Sequence, residues 1–113
     1  MKVKCFDLVS EIIDEATSRF EDVKANNEGF EFIKRACSYF DEFADEYEGV
    51  SFGAEVDSVT SDISITLECP IIMVKSRTHK FFILMQHAKS VEFYAKKDLL
   101  GVTFTFPGIW ENK

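Results

Sequence analysis

The chain has 113 residues, 46% of them apolar and 29% charged, with a formal net charge of −7. That is enough for one domain, residues 1–113, with a core that needs no disulfide or metal staple. The longest apolar run, residues 81–85, is five residues against the roughly 20 needed to span a bilayer. The acidic balance is poorly suited to a nucleic-acid partner.

Three cysteines, Cys5, Cys37 and Cys69, form no CxxC pair and have no nearby histidine to complete a zinc site. They read as reduced, buried thiols. Lys2, Lys4, Asp7 and Glu11 interrupt the first eleven residues, so no export signal is expected. The chain is accordingly expected in the cytoplasm, with no membrane partner.

Phe6, Val9, Ile13, Ala16, Phe20 and Val23 recur every three or four residues, which predicts an amphipathic helix over residues 3–24. Asn27 offers an N-cap for a second helix, in which Phe30, Ile33, Cys37, Phe40, Ala44 and Tyr47 form one apolar row. Phe32, Ala36, Tyr39 and Phe43 form another beside it. So wide a stripe predicts contact with both the first helix and a sheet, and Gly49 supplies the residue that ends the helix.

From Val50 the period changes to two. Residues 50–56 alternate, residues 57–62 read as a loop, and Ile63, Ile65, Leu67 and Cys69 define the inward face of a strand. Pro70 marks a bulge or a break, since it cannot donate to a ladder. The unbroken apolar runs 71–74 and 81–85 read as central strands covered on both faces, with a polar turn over 75–80 between them. Residues 91–96 and 102–106 close the sheet, and Trp110 is expected to fold back against an edge of the domain.

Short connections favour antiparallel pairing. The expected fold is therefore α+β, an N-terminal antiparallel helix hairpin on one face of a mainly antiparallel β-meander of five or six strands. On its second face Ile72, Val74, Phe82, Leu84 and Tyr94 are expected to form an apolar patch that a second copy of the chain covers.

Charge is unevenly spread. Residues 1–48 hold 6 basic and 13 acidic side chains, residues 49–74 hold 0 and 4, and residues 75–113 hold 7 and 3. At the end of the second helix Asp41/Asp45 and Glu42/Glu46 are like-charged pairs one turn apart, where the helix dipole also disfavours anions. Asp41, Glu42, Asp45 and Glu46 are thus a candidate docking face for a basic partner. The calcium-loop pattern is absent, so no metal is expected there. Replacing Asp41 and Asp45 by Asn is expected to preserve or raise the melting temperature. Lys75, Arg77, His79 and Lys80 form a basic counterpart, a weak candidate for holding an anion.

Cys69 lies in a buried row, and His87 ends the row of Phe81, Ile83 and Met85. No serine elbow, HExxH or phosphate-binding loop is present. No catalytic residue and no cofactor is assigned. The function expected is a non-enzymatic interaction module whose partner is itself, as a homodimer, or another protein. One alternative is an acidic inhibitor or immunity-type protein neutralising a basic partner. The other is a small enzyme or ligand-binding domain with a pocket between helices and sheet, near His87.

Overall fold

The computed structural model describes residues 4–19, 23–25, 27–57 and 59–112. Helix α1 spans Cys5–Arg19, and Cys5, Val9, Ile13 and Ala16 are buried along one stripe. Phe20 lies outside the described residues, and so does the side chain of Val23. Strand β1 (Val23–Ala25) precedes helix α2 (Asn27–Glu46). The proposed cap at Asn27 rests on a side chain that also lies outside the described set.

Helix α2 buries both predicted rows, with Ile33, Cys37, Phe40 and Ala44 from one and Ala36 and Phe43 from the other. Gly49 follows it with φ of +78°, the left-handed conformation that glycine adopts without a Cβ clash.

The main sheet has four strands: β2 (Ser51–Val56), β3 (Ile63–Pro70), β4 (Ser90–Lys96) and β5 (Leu99–Phe106), in the order β2-β3-β5-β4 with every neighbouring pair antiparallel. Ile63, Ile65, Leu67 and Cys69 of β3 and Val102, Phe104 and Phe106 of β5 face the helical layer, each at most 1% exposed. Phe104 joins the layers, its ring 5.4 Å from Phe40 and 6.2 Å from Phe81. A separate two-stranded ladder pairs β1 with β6 (Trp110–Asn112). There the Trp110 indole Nε1 donates to Thr17 Oγ1 at 2.8 Å, tying the tail to α1.

Residues 71–74 and 81–85 are helical, which corrects the reading of both runs as central strands. Helix α3 spans Ile71–Ser76 and helix α4 spans Thr78–His87, so the main sheet has four strands and not five or six. Pro70 is the last residue of β3 and the N-cap of α3, where its missing N–H costs nothing. Met73, Phe81 and Leu84 turn inward. The Ser76 and Thr78 hydroxyls donate to the carbonyls of Ile72 and Val74 at 3.0 and 3.1 Å.

The second face of the sheet is consequently not the apolar patch expected. Its central residues are Ser64, Thr66 and Glu68 facing Thr105, Thr103 and Gly101. Hydroxyls pair across the strands, Ser64 with Thr105 at 3.1 Å and Thr66 with Thr103 at 3.0 Å. Tyr94 lies across Gly101, which leaves no room for a Cβ there.

Candidate functional site

The two charged clusters singled out in the sequence meet each other. Lys80 Nζ lies 3.0 Å from Glu42 Oε2, and Arg77 pairs with Glu46. The same cations stand over aromatic rings of α2 and its end, Lys80 over Tyr39 at 5.5 Å and Arg77 over Tyr47 at 6.0 Å. The like-charge strain read at the end of α2 is thus relieved inside the chain. Each exposed pair contributes at most about 1 kcal/mol, yet together they dock α4 on α2.

Asp41 has a different task. Its carboxylate accepts the Cys5 N–H at 2.6 Å and the Phe6 N–H at 3.2 Å, satisfying two of the four amides that the first turn of α1 leaves open. An anion there also complements the α1 dipole. Asp45, Lys75 and His79 are exposed. Of the eight residues proposed for docking or anion binding, five have partners within the chain.

His87 is exposed, its ring 4.8 Å from that of Phe32. It borders a depression of about 260 Å³ walled mainly by Phe32, Ile33, Phe106, Pro107 and Ile109. Among the described residues no carboxylate, hydroxyl or thiol side chain lines that depression beside it. General acid–base or nucleophilic chemistry needs such a second group within reach.

All three thiols are buried and free. A hydrogen bond to Cys37, with burial and the nearby Asp41 charge, holds the Cys5 thiol far above its usual range. Burial pushes Cys69 up to about 11. Neither supplies a thiolate at neutral pH. Among the described residues no group of His, Cys, Asp and Glu is arranged to hold a metal ion, and no helix is long and apolar enough to cross a membrane.

The residues expected to form a dimer patch separate. Leu84 is 2% exposed and belongs to the core, which corrects its assignment to a surface. Val74 is half-buried, Tyr94 lies on the polar face, and Ile72 and Phe82 are 65% and 57% exposed. Phe82 does border an apolar feature, a groove of about 220 Å³ lined by Val74, Thr78, Phe81, Phe82, Met85 and Phe93. Phe93, from β4, is itself 52% exposed.

The groove adjoins an open sheet edge. Helix α1 packs against β2 at one side of the sheet, whereas β4 ends the strand order at the other. Ser90 to Lys96 pair with β5 in unbroken register through the two-residue turn at Lys97 and Asp98. Lys97 takes φ of +52° at the first turn position, as a type II′ turn requires. In a two-residue hairpin the pair closing the turn, here Lys96 and Leu99, exchanges both hydrogen bonds. Counting back, Ser90, Glu92, Tyr94 and Lys96 turn their backbone groups toward β5, and Val91, Phe93 and Ala95 turn theirs outward. Sequence reasoning found this strand but not its place at the edge, because alternation carries no information on strand order. Comparison with protein-family models, curated proteins and solved structures finds no match.

Proposed function

We propose that the protein is a non-enzymatic, cytoplasmic interaction module that binds another polypeptide by strand addition at β4. The observation that carries this reading is the coincidence of a strand edge unpaired among the described residues with an apolar groove on the same side as Phe93. Strand addition draws affinity from backbone hydrogen bonds and specificity from pockets for alternate side chains. The outward amides and carbonyls of Val91, Phe93 and Ala95 supply the first, and the groove between Phe82 and Phe93 supplies the second. Edges that must stay unpaired are blunted by bulges, prolines or central lysines. Between Val91 and Ala95 β4 has none of these and carries one charge, Glu92.

Selection from a displayed library of random linear peptides tests this reading. The expected binders alternate apolar residues and lose binding to the Phe93→Lys variant, whose exposed site accepts lysine without unfolding. A library that yields no binder, or binders indifferent to Phe93→Lys, contradicts it.

A further inference from the structure

From the charge pattern of β4 we infer that the strand added at this edge is β4 of a second copy, in antiparallel register centred on Tyr94. The inference rests on the strand-addition reading above and names its occupant. Two identical strands related by a two-fold axis pair residues whose numbers have a constant sum, so only a few registers bring the central residues together.

Centring on Tyr94 sets Glu92 of each copy opposite Lys96 of the other, on the polar face of the sheet, and sets Phe93 opposite Ala95 on the helical face. The neighbouring registers lack this match. Centring on Phe93 faces Glu92 with Tyr94 and Ser90 with Lys96. Centring on Glu92 puts two carboxylates against each other, and centring on Ala95 faces Glu92 with Asp98. Opposite charges directly across strands favour pairing and like charges oppose it.

The free chain is prepared for the Tyr94 register. Residues 92, 94 and 96 point their backbone groups toward β5, so across the dyad they form the closer, non-hydrogen-bonded pairs in which side chains interact most. Phe93 and Ala95 meanwhile exchange the hydrogen bonds. The Tyr94 ring leans inward over Gly101. Its hydroxyl is held above its usual pKa first by desolvation and then by the nearby Glu68 carboxylate. The ring is therefore clear of its own symmetry mate. Lys96 lies 3.9 Å from Glu68, at the limit of an ion pair, and can turn to a closer carboxylate.

The axis runs perpendicular to the sheet, so the two sheets become continuous and both helical layers stand on one side. Phe82 and the groove of each copy then flank the junction. Net charge supports the same location: the molecule carries −7, but Ser90 to Lys96 carries one acidic and one basic group. Two acidic molecules meet at their least repulsive edge.

Sedimentation equilibrium of the full chain and three charge variants tests the register, with far-ultraviolet dichroism confirming that each variant folds. The wild type is expected to dimerise at micromolar concentration. Glu92→Lys, which creates two like-charge pairs per dimer, is expected to raise the dissociation constant about tenfold. Lys96→Glu is expected to do the same, with a further contribution from Glu68 within its own chain. The double variant, with charges exchanged, restores association to near the wild-type value. A wild type that stays monomeric at millimolar concentration overturns the second copy as occupant, while the peptide selection judges the edge itself. A dimer unmoved by Glu92→Lys, or one that the double variant fails to restore, overturns the register.

Discussion

Leu84→Glu is expected to abolish the native fold, and Phe82→Glu, two residues away on the same helix, to leave it intact. Leu84 is 2% exposed and Phe82 57%. Replacing a buried leucine forfeits about 1.5–3 kcal/mol of apolar burial, and an unpaired carboxylate in its place costs several kcal/mol more. That total is comparable with the ~5–15 kcal/mol of a typical domain. Phe82→Glu removes a side chain that borders the groove, so its effect falls on association and not on folding. Far-ultraviolet dichroism through a urea titration separates the two. A natively folded Leu84→Glu variant would mean that α4 presents a different face to the core.

The contrast between these two positions marks how far the sequence could be read. Helices α1 and α2 were legible because Val9, Ile13 and Ala16, and then Ile33, Cys37, Phe40 and Ala44, keep an unambiguous helical period. Strand β3 was equally clear from its alternation. Residues 71–87 were not, because their apolar runs are contiguous and a short contiguous run fits a covered strand or a buried helix. The spacing of Phe81, Leu84, Met85 and Ala88 did hold a helical signal, and the polar residues between the runs are the exposed parts of two helices broken at Arg77. Pro70 fitted either reading, since a residue without an N–H can end a strand or stand just before a helix.

Asp41→Ala is the second large effect, and it reverses part of what the charge pattern suggested. Replacing Asp41 and Asp45 together by Asn was expected to preserve or raise the melting temperature. The Asp41 carboxylate instead caps α1 through the amides of Cys5 and Phe6. Loss of a capping acceptor costs about 0.5–2 kcal/mol, and the charged acceptor and half-buried site put Asp41 at the upper end. Asp45→Ala, at an exposed position, is the matched control and is expected to leave the melting temperature unchanged or slightly raised. Equal melting temperatures for the two variants would show that the cap does not operate in solution.

Such contacts escape a reading along the chain. Asp41 is 36 residues from Cys5, and Glu42 is 38 from Lys80, so the acidic and basic clusters looked like two surfaces for outside partners. Three of the four acidic residues and two of the four basic ones serve the packing of α1, α2 and α4. Among the described residues, the β4 edge and its groove are an exposed feature that these internal contacts do not use.

Amide hydrogen exchange resolved by residue, followed as protein concentration rises, tests that edge most directly. Glu92, Tyr94 and Lys96 direct their amides to β5 and are expected to be protected at every concentration. Val91, Phe93 and Ala95 face outward and their amides are expected to exchange rapidly in dilute protein; as chains associate, those of Phe93 and Ala95 are expected to become protected together, while Val91 falls opposite the turn residue Lys97. Association that protects another surface while the amides of Phe93 and Ala95 stay fast would contradict strand addition at β4.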